Sequence, residues 1–244
     1  MVVSRFCPTL KIFTGSMITR VKQYGKREPN RDAHKIYVVC EGSSDEPRYF
    51  DFFAGLSSNL NVITLPSEEG KTDPVKLLKM ATSLFNEETG RFKLDYSQGD
   101  RVWFVVDTDE WEKEGKLAVL REFCQSKNKD ISPKPKAYQV WNTAQSNPSF
   151  EIWLYYHLYD KTPLTKDVKE AVSFKQFVDG KFQGGFNYEK DPVRLKDAIA
   201  NAEANFGVDA NGALTEYSTE VFNLGREING FVAGELSKLY NKLR

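Results

Sequence analysis

Two short runs, "KIYVVC" at 35–40 and "RVWFVVD" at 101–107, are apolar at consecutive positions rather than at alternate ones. Successive side chains of a strand point to opposite faces, so an unbroken apolar run needs cover on both sides. That requirement disfavours a sheet with one wet face and selects a parallel sheet packed between helices. The segments between the runs supply the helices. Residues 45–57 carry Tyr49, Phe50, Phe53 and Leu56 at helical spacing. "NVITLP" at 61–66 reads as a short strand. "TDPVKLLKMATSLFNEE" reads as a helix capped by Thr72 or Asp73, with Pro74 in its first turn and Val75, Leu78 and Phe85 on one side. "LAVLREFC" continues as a helix, and "KAYQVWNT" at 136–143 reads as another strand.

Beyond Ser146 the pattern becomes helical. "SNPSFEIWLYYHLYD" predicts a helix started by Asn147 with Pro148 at its first position, and amphipathic segments follow near 167–178, 192–205, 216–229 and 233–243. "KFQGGFN" at 181–187 is a loop signal. The chain thus divides into a lead-in at 1–34, an α/β region at 35–160 and a mainly helical region at 161–244.

Both apolar strands open onto acids. Glu41, Asp45 and Glu46 follow the first; Asp107, Asp109 and Glu110 close the second. Open α/β sheets place ligands beyond the carboxyl ends of their strands, which is where these acids fall. Asp45 and Glu46 also suit the positive end of a helix. Glu41 precedes that helix and gains little from it. Asp107 and Asp109, two apart, project to the same side of an extended chain. Carboxylates gathered at one edge repel each other unless a cation shares them, and oxygen-only ligands suit Mg²⁺ or Mn²⁺ rather than zinc.

The formal net charge is zero, yet residues 1–35 hold eight Lys or Arg against Glu28 and Asp32. Such a segment, with Arg27 and Arg31 at its end, can hold phosphates or remain a solvated tail. Cys7, Cys40 and Cys124 are too few and too far apart for a disulfide framework or a zinc site. No apolar run approaches a membrane span and the first residues lack a signal-peptide core, so a cytoplasmic protein with no membrane partner is expected. No Walker-type loop is present, so ATP hydrolysis requires a partner. His157, between aromatic residues, reads as packed, as do Trp103, Phe104, Trp141, Phe150 and Trp153.

Glu-Gly after one strand and Asp-X-Asp after a later one resembles the signature of the Toprim domain. The fuller set "VVCEGSSDEPRYF", "VWFVVDTDE" and "SNPSFEIWLYYH" resembles the RloB family of restriction and abortive-infection loci, over about residues 35–160. The resemblance implies a Toprim-like parallel sheet flanked by helices, with Glu41 as general acid/base or metal ligand and Asp107 and Asp109 as the metal pair. Glu46 resembles the second acid of the Glu-Gly-x-x-x-Glu form found in overcoming-lysogenization-defect nucleases. "SNPSFEIW" stands where that branch has a serine-containing motif, without its serine–glycine spacing, and makes Ser146, Asn147 and Glu151 further candidates without an assigned role. Arg48 and Lys71 are the candidate phosphate-facing cations.

The expected activity is Mg²⁺- or Mn²⁺-dependent cleavage of DNA or RNA in antiphage defence, alongside an ABC- or AAA-type ATPase. A homo-oligomer is compatible with the sequence. The alternative is a non-catalytic subunit that binds a metal or nucleotide and regulates or senses for a partner ATPase. Nucleotidyl transfer of the primase kind would use the same acids. Comparing the purified protein's action on RNA and plasmid DNA in Mg²⁺ and in EDTA, with and without an ATPase, separates the first two classes.

Overall fold

The computed structural model describes residues 26–67, 73–108, 111–131 and 139–243. Four strands, β1 (His34–Cys40), β2 (Leu60–Pro66), β3 (Arg101–Asp107) and β4 (Trp141–Ser146), form one sheet in the order β2-β1-β3-β4. All pairings are parallel, as the consecutive apolar positions require.

The two faces explain why β1 shows no alternation. Ile36, Val38 and Cys40 enter a core with α1 (Asp45–Asp51) and the C-terminal helices, whereas Tyr37 and Val39 enter a second core under α2 (Pro74–Leu84) and α3 (Lys116–Asp130). Both environments are dry, so both sets of positions are apolar. The first core also takes in Trp153, Tyr49 and Tyr156, among the largest fully buried side chains. Trp103, Phe104, Trp141, Phe150 and Trp153 are all buried, so these rings serve packing.

Local signals account for several boundaries. The Asp73 carboxylate accepts from the N–H groups of Val75 and Lys76, and Pro74 opens α2 where a missing N–H costs nothing. Such a cap contributes about 1 kcal/mol. The buried side of α2 is Pro74, Leu77 and Ala81, a stripe rotated from the expected Val75, Leu78 and Phe85. Phe85 instead caps the helix end and packs edge-on against Tyr37 and Trp141. α1 stops at Asp51, short of the expected 57: turns follow, and Gly55 takes a φ of 76°, which a helix cannot accommodate.

Three further expectations are corrected. β4 begins at Trp141 rather than 136; it is an edge strand whose Asn142 and Thr143 are only half-buried, so a continuous apolar run is not required of it. Pro148 lies in the link between β4 and α4, after a cis Asn147–Pro148 bond, and α4 starts later, at Glu151–Tyr155. The segments at 216–229 and 233–243 are one helix, α8 (Val221–Leu243), whereas 167–178 divides into α5 (Thr165–Lys169) and α6 (Phe174–Asp179). A 3₁₀ turn at Asp191–Arg194 leads into α7 (Leu195–Ala204).

The segment before α8 closes the outer edge of the sheet. Ser146 and Thr219 form an antiparallel bridge, the Asn147 N–H donates to the Ser218 carbonyl (2.8 Å), and the Glu220 N–H donates to the Gln145 carbonyl (2.7 Å). Further along α8, the Glu227 carboxylate accepts from Trp103 Nε1 (2.8 Å) and pairs with Arg101 and His34, tying the helix to the amino ends of β1 and β3. At Gly225 an added Cβ would lie 3.1 Å from Trp153 Cη2, so this glycine permits α8 its close approach to α4. Among the described residues, no helix is long and apolar enough to cross a membrane.

Candidate active site at the carboxyl edge of the sheet

β1 and β3 are adjacent and parallel, in a register that sets Cys40 beside Val105. Their exits therefore lie side by side. Glu41 continues the pairing through its N–H to the Val105 carbonyl (3.1 Å), and its side chain reaches across to the exit of β3. Its Oε2 accepts from the Asp107 N–H at 2.8 Å and its Oε1 from Trp111 Nε1 at 2.7 Å. Glu41 is 6% exposed, so these N–H groups replace the water that a carboxylate otherwise needs.

Asp107 ends β3 opposite Ser146. Its Oδ1 accepts from the Phe150 N–H at 2.8 Å, which joins the α4 entry to the same edge. Thr108 is pinned on both sides: its hydroxyl donates to the Ser146 carbonyl (2.8 Å) and accepts from Gln145 Nε2 (2.7 Å). Gln145 is buried, and its Oε1 accepts from Arg121, which also pairs with Glu220 at 3.5 Å. Burial pushes the Glu220 carboxyl up, with Arg121 opposing the shift.

Glu46 sits in α1 with Oε1 accepting from the Gly42 N–H at 3.1 Å. Burial raises its pKa against those backbone N–H bonds, and the neighbouring charges of Glu151 and Asp45 raise it further. Gly42 leaves room for this carboxylate: an added Cβ would lie 2.1 Å from Glu46 Oε2 and would displace it. Glu151 accepts from Ser149 Oγ (2.6 Å), and Lys175 of α6 reaches between Asp45 and Glu151, 3.9 Å from the latter. Arg48 lies on the neighbouring surface with its guanidinium 4.4 Å from the centre of the Tyr188 ring.

The structure thus brings Glu41 and Asp107 together, with Glu46 and Glu151 on the same side of the fold. It does not bring the other candidates into that contact. Ser146 is buried with Oγ on Thr219 Oγ1 (2.8 Å), and Asn147 Nδ2 donates to the Leu214 carbonyl (2.8 Å), so both secure the C-terminal segment. Arg27 lies at the opposite edge, its N–H on the Gly55 carbonyl and its guanidinium 3.6 Å from Glu235. Arg31 is exposed three residues before β1. Lys71 and Asp109 lie outside the described residues.

His157 is a packed residue. Its Nδ1–H donates to the Trp153 carbonyl and its Nε2 accepts from the Tyr49 hydroxyl, both at 3.0 Å. Burial pushes its pKa down to about 3, with Arg194 adding to the shift and those backbone contacts opposing it. Cys40 and Cys124 are free and buried, and burial raises both thiols.

Among the described residues no three His, Cys, Asp or Glu side chains are grouped closely enough to hold a metal ion. Glu41, Glu46 and Asp107 offer only oxygen donors, the type a hard divalent cation takes, but they are not gathered around one point in this structure. A carboxylate offers about four lone-pair sites, so an N–H on an oxygen does not bar that oxygen from a cation.

The sequence reading missed Trp111, Lys175, Thr108 and Gln145. Trp111 alone left a trace, a tryptophan set among acids in "DEWEKEG", outside any apolar run.

A four-stranded parallel sheet from which a glutamate leaves one central strand and an aspartate its neighbour defines a Toprim-like α/β protein. Residues 36–228 match the family model described as RloB-like protein, and the chain belongs to that family. No curated protein and no solved structure matches the chain.

Proposed function

We propose that this protein is a Mg²⁺- or Mn²⁺-dependent nuclease that cleaves phosphodiester bonds in DNA or RNA, as the effector of an antiphage abortive-infection system. The observation that carries the reading is the placement of Glu41 at the carboxyl edge of two neighbouring parallel strands, its carboxylate accepting from the main-chain N–H of Asp107. Family membership supports the same reading, including work beside an ABC- or AAA-type ATPase.

Asp107, Asp109 and Glu46 are the residues that would hold the cation, with Glu41 beside them. A bound divalent ion supplies Lewis-acid polarisation of a phosphoryl oxygen and a more acidic water. The chain's own contribution is orientation. Glu41, fixed through both oxygens, is set to align the attacking water and take up its proton. Asp107 is held by the Phe150 N–H, so its second oxygen keeps a defined direction. Arg48 and Lys71 are proposed to meet the phosphate charge that grows during in-line displacement. Arg27 and Arg31, at the far edge, belong to the basic segment proposed to hold flanking phosphates.

The test is incubation of the purified protein with plasmid DNA and total RNA in Mg²⁺, Mn²⁺ or EDTA, with and without the ATPase encoded beside it. Cleavage in metal, none in EDTA, and none in folded Asp107→Asn, Asp109→Asn and Glu41→Gln variants is the expected result. Intact substrates in every condition, or full activity of those variants, would reject the assignment.

A further inference from the structure

We propose that Trp111 is a positioning residue for Glu41, acting through its indole N–H; the proposal rests on the role of Glu41 given above. The last torsion of a glutamate side chain is broad and nearly two-fold, so one hydrogen bond leaves the second carboxylate oxygen free to swing. Here each oxygen has its own donor: the Asp107 N–H on Oε2 at 2.8 Å and Trp111 Nε1–H on Oε1 at 2.7 Å. Two donors on two oxygens fix the plane of the carboxylate as well as its place.

The indole is itself fixed. The Trp111 N–H donates to the Thr108 carbonyl at 3.0 Å, and the Lys116 N–H to the Trp111 carbonyl at 3.0 Å, so the turn between β3 and α3 is closed on both sides of the residue. Lys116 Nζ lies 4.3 Å from the centre of a Trp111 ring and pairs with Asp73 and Glu114, each at 2.6 Å. A cation on the indole face draws electron density from the ring and strengthens its N–H as a donor. A path of direct contacts therefore runs from the cap of α2 through Lys116 and Trp111 to Glu41.

Packing alone does not account for this arrangement. Trp111 is only half-buried, at the margin of the core beneath α2 and α3, where a phenylalanine ring would also fill space. What the tryptophan adds is a donor aimed at a buried carboxylate. A misplacement of about 1 Å in a reacting group can cost on the order of 100-fold in rate, so loss of this donor should appear in turnover rather than in binding.

Trp111→Phe keeps a ring for Lys116 and removes the N–H. The expected result is a kcat lowered by about tenfold to 100-fold with KM and the Mn²⁺ dissociation constant unchanged. A second readout needs neither activity nor that variant: the ¹⁵N-indole resonance of Trp111 in the full chain, assigned through its backbone, should move strongly in Glu41→Gln. A resonance that stays in place in folded Glu41→Gln, or a Trp111→Phe enzyme with wild-type kcat, overturns the proposal. A resonance that moves while the wild-type protein cleaves no nucleic acid retains the Trp111–Glu41 coupling and sinks the nuclease reading instead.

Discussion

His157 gives the fold a predictable weakness toward acid. Its imidazole is wholly buried, with Nε2 committed as acceptor to the Tyr49 hydroxyl and Nδ1–H as donor to the Trp153 carbonyl. Protonating Nε2 sets two donors against each other and buries a charge. The folded-state pKa of about 3 lies below the ordinary value near 6.5. The sign follows: the unfolded chain binds this proton first, so the stabilisation is complete above pH 6.5 and is lost as pH falls toward 3. Between pH 7 and pH 5 the loss from this one group is about 2 kcal/mol, the proton affinity gained by the unfolded chain at about 1.36 kcal/mol per pH unit. His157→Gln places an amide that can still accept from Tyr49 and donate to Trp153 but does not titrate. Urea unfolding of both proteins at pH 7 and pH 5 isolates the term, because other titrating carboxylates, Glu46 and Glu220 included, contribute equally to both. Wild type should lose more stability than the variant by about 2 kcal/mol, a midpoint difference of roughly 0.7 M at an m-value of about 3 kcal/mol/M. Equal losses would refute the assignment of His157 as a neutral, buried histidine.

Other perturbations test the site edge. Gly42→Ala should drive the Glu46 carboxylate from its place and lose its backbone N–H bond, at a cost of about 1–3 kcal/mol in urea unfolding. The same substitution in a Glu46→Ala background should be nearly neutral, and full additivity would contradict the clash. Thr108→Val removes the hydroxyl shared by Gln145 and Ser146, and a destabilisation of about 1–3 kcal/mol in thermal or urea unfolding is expected. Lys175→Met removes the ammonium lodged between Asp45 and Glu151; Mn²⁺ binding followed by electron paramagnetic resonance should tighten by up to about fivefold, the scale of a partly exposed ion pair. Unchanged Mn²⁺ binding would show that Lys175 does not compete for that charge.

The parts of the fold legible in the sequence were those fixed by local chemistry. β1 and β3 showed themselves because both faces of each are buried, and α2 because Asp73 and Pro74 form its start. The common exit of Glu41 and Asp107 followed from strand direction alone. β4 was misplaced because an edge strand tolerates Asn142 and Thr143, which erases the apolar signal. Pro148 suits either a helix start or a turn, and the residue pattern does not say that α4 begins only at Glu151. Trp111 lies 70 positions from Glu41, and Lys175 lies 130 from Asp45. Such pairings are set by how α3 and α6 dock, which no local pattern encodes.

The bridge from Ser146 to Thr219 spans 73 positions of the chain, and this separation has a consequence in time. A ribosome adding about 5–20 residues per second needs roughly 4–15 s to make the second partner after the first. Throughout that interval Glu41, Asp107 and β4 already exist, while the partners that residues 214–220 supply to Gln145, Ser146 and Asn147 do not. A nascent chain therefore carries its acids on a sheet whose β4 edge closes only when residues 218–220 emerge. Closure of the outer edge of β4 is thereby tied to nearly the whole of the family-matched length, and a chain interrupted before that point holds the acids and their donors on a sheet whose edge is still open.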